Sequence, residues 1–257
     1  MAGRKKKKKK RGTAALVIAL AAVLAVCAIL TLFVLAKKRI ISVNEWLVNR
    51  ETRTIGVDIS AYQADVDMEK LKVQGIDFIF IKATEGTTHQ DRRFAENWEN
   101  AKNAGLPAGA YHFFSAKSPG ETQAANFIET VGDDLAGRLI PVVDVEFYGT
   151  GGESLPERED VVRELKVFLD ALEARYGVKP MIYVPGDVFR RYISGDFEEY
   201  KIWMSSVNVP IGFAYSGRWD VWQYFNRAVL EGYSGGEKYI DMNVLNRKTT
   251  LEDLLVP

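Results

Sequence analysis

From residue 55 onward, short apolar runs alternate with segments whose apolar residues recur at helical spacing. The runs IGVDIS (55–60), FIFIKA (78–83), PAGAYHFF (107–114), LIPVVDVE (139–146), MIYV (181–184), KIWMS (201–205), DVWQY (220–224) and YIDMNVL (239–245) predict eight strands. Several are apolar almost throughout, as strands covered on both faces are. The early runs are separated by segments with helix-boundary signals. Asp91 stands where it can cap a helix that puts Phe94, Trp98 and Ala101 on one face and ends at Gly105. Ser118-Pro119-Gly120-Glu121 and Ser154-Leu155-Pro156-Glu157 both have the form of a capping box. The second leads into Val161, Leu165, Phe168, Leu169 and Leu172, with Gly177 as the stop. Shorter helices are expected over 68–74 and 188–193. After the sixth run, residues 206–219 and 225–238 are rich in Gly, Ser, Asn and Pro and lose the helical period. Eight strands, about five helices and loop-joined final strands predict an α/β fold, an irregular TIM-like barrel.

The first 54 residues follow a different pattern. Residues 1–39 carry eleven Lys and Arg and no acid, and 13–36 contain no charge. With 34 basic and 34 acidic residues in all, the rest of the chain holds 34 − 11 = 23 bases against 34 acids, a balance of −11. A 24-residue uncharged helix would extend about 36 Å, against about 30 Å of hydrocarbon. The expectation is a polybasic cytoplasmic tail (1–12), a membrane-spanning signal-anchor helix (13–36), a linker (37–54) and an extracytoplasmic barrel (55–257). A secreted form would follow if the segment were cleaved after Val34-Leu35-Ala36, but the apolar run exceeds the usual ~7–15 residues of a cleaved signal. The lysine run is read as part of this tail, and no nucleic acid is expected as a partner.

Cys27, within the apolar segment, is the only cysteine, so the barrel has no disulfide. Only His89 and His112 accompany it, and no cluster has metal-ligand spacing. No metal or cofactor is expected, and the barrel is expected to be monomeric.

The chemistry suggested by the sequence is acidic. Alternate strand residues share a face, so Asp144 and Glu146 point the same way at the carboxyl end of the fourth run. Barrel enzymes place their chemistry at that end. Asp58 in GVDISAYQ and Asp241 in YIDMNVL stand at comparable positions. Four acids from three strands would converge on one mouth. Crowded carboxylates oppose folding, yet they allow one acid to keep its proton while another stays ionised, the division of labour in glycoside hydrolysis. Alternate Cα atoms lie about 6.6 Å apart, which leaves both retaining (~5–5.5 Å) and inverting (~6.5–9.5 Å) carboxyl separations open.

Tyr62, Tyr111, Tyr148, Tyr183, Trp203 and Trp222 sit in the same neighbourhoods and could pack on sugar faces, with Gln63, Gln223 and Asn243 as partners for hydroxyls. Lys82 and Glu85 are candidates for the same wall or for a structural ion pair. His112 is expected to be a hydrogen-bonded structural histidine rather than a base.

The blocks DISAYQADVDMEKLKVQGIDFIFIKATEG, DRRFAENWENAKNAGLPAGAYHFF, VVDVE, KPMIYV, WQY and IDMN, in this order, resemble the family 25 glycoside hydrolases, the Chalaropsis-type muramidases. The resemblance spans about residues 55–245. It implies a (β/α)5β3 barrel and hydrolysis of the β-1,4 bond between N-acetylmuramic acid and N-acetylglucosamine in peptidoglycan. It also implies that Glu146 is the general acid, that Asp144 orients the substrate acetamido group in a substrate-assisted retaining route, and that Asp58 and Asp241 support them. Met68 stands where the family often has Trp, and Trp203-Met204-Ser205 replaces a more usual Trp-Ile-Ala. A non-catalytic peptidoglycan-binding barrel, or a hydrolase of another amino-sugar polymer, is the alternative.

Overall fold

Each of the eight apolar runs forms a strand, and their pairing closes a barrel. The computed structural model describes residues 2–37, 42–133, 135–147, 155–215 and 217–257. The strands are β1 (Ile55–Ile59), β2 (Phe78–Glu85), β3 (His89–Gln90), β4 (Ala108–Phe113), β5 (Val142–Asp144), β6 (Met181–Pro185), β7 (Lys201–Ser205), β8 (Val221–Ala228) and β9 (Ile240–Leu245). Their order is β1-β9-β8-β7-β6-β5-β4-β2, and a β1–β2 pairing closes the ring. β3 is a short hairpin partner of β2 that lies outside the ring and was not expected. Strands β1, β2 and β4 to β8 run parallel; β9 alone is antiparallel to both neighbours.

Helices α3 (Met68–Val73), α4 (Phe94–Asn103), α5 (Gly120–Val131) and α6 (Arg158–Tyr176) fill the crossovers between the early strands. A helical stretch, Gly186–Val188 and then Phe189–Ile193, follows β6. On α6, Val161, Leu165, Phe168, Leu169 and Leu172 are completely buried, the single apolar stripe that this spacing produces. Burying a side chain of this size stabilises by about 1.5–3 kcal/mol. Met68, at the start of α3, is buried in the core.

Helix starts differ from the capping expected. Asp91 accepts from the Arg93 N–H and from the Ala61 N–H, joining two loops instead of capping α4. The Gly120 N–H at the start of α5 donates to Glu164 of α6, which replaces the local box at Ser118. Ser154 lies outside the described residues.

The chain divides into two units, Met1–Val43 and Asn44–Pro257. The first contains helix α1 (Ala2–Lys37), whose apolar residues between Leu16 and Leu32 are exposed. Among the described residues no helix is long and apolar enough to cross a membrane. The membrane-spanning helix expected over 13–36 is therefore corrected. The second unit begins inside the segment expected as a linker. Asn44, in the short helix α2 (Val43–Leu47), is buried and donates from Nδ2 to the carbonyls of Ser206 (2.7 Å) and Tyr224 (3.0 Å).

Candidate active site

Strand register brings the acids together. Asp58 of β1 is the direct partner of Asp241 on β9, and Asp144 of β5 is the partner of Tyr183 on β6. The Val145 N–H bonds to the Tyr183 carbonyl and carries the ladder one residue past Asp144. Val145 is fully buried, while Glu146 on the alternate position is only half-buried.

A polar network holds the acids. Asn243 Nδ2 (2.7 Å) and Gln223 Nε2 (3.1 Å) both donate to Asp58 Oδ2, and the same Gln223 amide lies 3.3 Å from Asp241 Oδ2. Gln223 Oε1 in turn accepts from the Tyr183 hydroxyl (3.0 Å) and the Ser205 hydroxyl (2.9 Å), which fixes its NH2 toward the acids. Asn243 Oδ1 accepts from Trp203 Nε1 at 2.9 Å. Beneath the network Trp203 stacks on Phe80 with centroids 4.6 Å apart and meets Tyr183 edge-on at 4.8 Å. Gly109 makes room for this floor, because a Cβ there would lie 2.5 Å from the Phe80 ring.

Asp144 is the exception. It is buried, and its Oδ1 has no hydrogen-bond partner. Burial pushes its carboxyl well above the usual range, and the charges of Glu146 and Asp58 push the same way, with Lys82 opposing. Burial, then Asp58, Glu146 and Glu237, takes Asp241 up to about 8. Asp58 is also raised by burial, although its bonds from Asn243 and Gln223 oppose the shift. The phenols of Tyr111 and Tyr183 are raised well above their ordinary value by burial and then by these acids. Burial, and then crowded like charge, favours the protonated forms of these acids, the condition for donating a proton.

Residues 57–233 match the sequence profile of the family described as glycosyl hydrolases family 25. The chain belongs to this family. A solved family 25 glycosyl hydrolase from Bacillus anthracis is 40% identical and superposes with a TM-score of 0.73, covering 81% of this chain and 96% of that one. The Escherichia coli protein YegX is 33% identical across 77% of this chain and 71% of its own length. Lysozyme M1 of Streptomyces globisporus is 29% identical across 74% of this chain and 67% of its own.

In this family 25 hydrolase, Asp58, Tyr111, Asp144, Glu146, Tyr183, Trp203, Gln223, Asp241 and Asn243 gather in or beside the cluster, linked by the bonds, ring contacts and charges above. Lys82 Nζ pairs with Glu85 Oε2 at 2.7 Å and lies over the Phe113 ring, close enough to bias Asp144. Three expected residues are not joined to the cluster by these bonds, ring contacts or charges. Trp222 alternates with Gln223 and so faces away from the lumen; it donates to the Ser206 carbonyl and packs against Trp219 and Tyr224. Gln63 is occupied by backbone, accepting from the Ser60 N–H and donating to the Tyr239 carbonyl. Tyr62 is 75% exposed on the loop after β1. Tyr148 lies outside the described residues. Ser205 and Phe80 are participants that the sequence did not reveal. Ser205 carries only a hydroxyl one residue beyond an apolar triplet, and Phe80 reads as ordinary core.

Proposed function

We propose that this hydrolase is a muramidase, cleaving the β-1,4 bond between N-acetylmuramic acid and N-acetylglucosamine in peptidoglycan, outside the cytoplasm where that polymer lies. Its likeness to a Streptomyces lysozyme supports the substrate class. The observation that carries the chemistry is the buried Asp144 Oδ1, without a partner among four clustered acids. A buried acceptor left unpaired costs about 1–3 kcal/mol, and a substrate N–H arriving there would recover it.

In this mechanism Glu146, the half-buried member, protonates the glycosidic oxygen as the bond to the anomeric carbon breaks. Asp144 Oδ1 accepts the N–H of the sugar's acetamido group, aiming its carbonyl oxygen at the anomeric carbon. That oxygen forms the new bond and closes a five-membered ring. Water then opens the ring, giving its proton to the Glu146 carboxylate, and the configuration is retained. Asp58 and Asp241, held by Gln223 and Asn243, maintain the local charge.

Glu146→Gln keeps the shape and removes the proton. It should lower the rate of peptidoglycan lysis at least about 100-fold, within the usual ~10²–10⁴ for general acid–base catalysis, with the melting temperature retained. Undiminished lysis would remove Glu146 from this role. Mass spectrometry of the products distinguishes muramic-acid reducing ends from those of another amino-sugar polymer, and no products at all from wild type would favour a binding barrel.

A further inference from the structure

A hollow of about 410 Å³ lies between the loop after β1, the turn at Arg92 and the loop before β9. It is lined by the small residues Ala61, Ala64, Gly235 and Gly236 together with Tyr62, Arg92 and Glu237. Because Asp58 and Asp241 are register partners, the loop leaving β1 and the loop entering β9 meet at the mouth. Tyr62 lies four residues beyond Asp58 and Glu237 four residues before Asp241, at most about 14 Å of extended chain from either acid.

The hollow is preformed. The Gly235 N–H bonds to the Gln63 carbonyl, the Ser234 N–H to the Asp65 carbonyl and the Asp67 N–H to the Gly232 carbonyl, knitting the two loops together. Their approach leaves no space for a side chain at Gly235, where a Cβ would lie 1.9 Å from the Tyr62 carbonyl oxygen. Ala64 in the lining has φ 54°, the one non-glycine with positive φ among the described residues. Such strain persists where surrounding structure enforces it, commonly at ligand sites.

The charges lining the hollow are opposite in sign. Arg93 is paired with Asp65 and Glu96, whereas Arg92, exposed at the hollow, has no carboxylate partner among the described residues. Glu237 is steadied by the Tyr239 N–H on Oε1. A cation, an anion and an exposed aromatic ring among small residues suit a short zwitterionic chain better than a neutral sugar.

We infer that this hollow receives the peptide borne by the muramic acid of a peptidoglycan strand, with Arg92 engaging a peptide carboxylate and Glu237 a peptide ammonium. This rests on the muramidase reading. It makes the enzyme selective for peptide-bearing strands over stripped glycan.

The test compares glycan strands carrying their peptides with the same strands stripped by an amidase, for wild type and Arg92→Glu. Wild type should favour the peptide-bearing strands about fivefold in kcat/KM, through KM, the scale of an exposed ion pair. Arg92→Glu should erase the preference while cleaving stripped strands at the wild-type rate. Equal cleavage of both strands by wild type, or a preference that survives in Arg92→Glu, overturns this inference alone. Failure of wild type to cleave either strand overturns the muramidase reading and this one with it. A second measurement needs no turnover. The free tripeptide L-Ala–γ-D-Glu–L-Lys should perturb NMR signals of Tyr62 and Arg92 in the Glu146→Gln chain, and unperturbed signals would refute the site.

Discussion

Two buried polar centres begin on adjacent residues of β4 and end in opposite states. Tyr111 borders the carboxylate cluster, where Asp144 Oδ1 goes unbonded and proton affinities are driven up by burial and like charge. His112, on the other face, lies between barrel and helices. Its Nδ1 is 2.7 Å from Thr84 Oγ1, its Nε2 is 3.1 Å from Gln123 Oε1, and the ring stacks on Phe168 at 4.8 Å. Burial holds that imidazole down at about 4, so it stays neutral and structural. A polar group satisfied within the fold serves stability, whereas one left wanting is available to a ligand.

The largest effect that could break this contrast is His112→Ala. It should cost about 2–4 kcal/mol through a cavity and two orphaned partners, lowering Tm by about 5–15 °C. Lysis measured well below the transition should change less than about threefold, since the ring does not reach the cluster. A large loss of turnover with stability intact would invert the assignment. Asp144→Asn should do the reverse. Relief of like-charge crowding should raise stability by about 1 kcal/mol while kcat falls about 10–100-fold, readable from thermal melts beside turnover. A drop in Tm would show that Asp144 is structural after all.

The smallest effect is a slope with pH. Asp241, raised from 3.8 to about 8, keeps its proton in the folded state where the unfolded chain has lost it. Its stabilising contribution is therefore complete below about pH 4 and disappears as pH rises through about 8. Asp241→Asn removes that dependence. Its Tm relative to wild type should climb between pH 4 and pH 8 by the equivalent of about 1 kcal/mol, discounted for partial solvent access. Parallel Tm curves would place the proton on another member of the cluster.

Alternation by two was enough to place Asp144 and Glu146 on one face and to bring Asp58 and Asp241 to the mouth. Applied to Trp222 and Gln223, the same rule separates them, because neighbours in a strand cannot both face the lumen. What was illegible depends on long sequence separation. Glu164 caps a helix that begins 44 residues earlier. Gln63 spends its amide on Tyr239, 176 residues away. Arg92 and Glu237 line one hollow only because two loops interlock. The N-terminal apolar run shows the opposite error, where composition pointed to a membrane span that the described helix does not supply.

The reversed direction of β9 alters which connections can be remodelled. Between successive parallel strands from β1 to β8, the segment leaving one strand starts at the catalytic end and returns along the outside of the barrel. For β9 it is the preceding segment, 229–239, that arrives there, tethered at both ends by neighbouring antiparallel strands. Extra residues grafted at exposed Gly236, beyond the bonds that knit this hairpin to the β1 loop, would extend over the cleft without displacing a helix, so substrate preference could be re-engineered there.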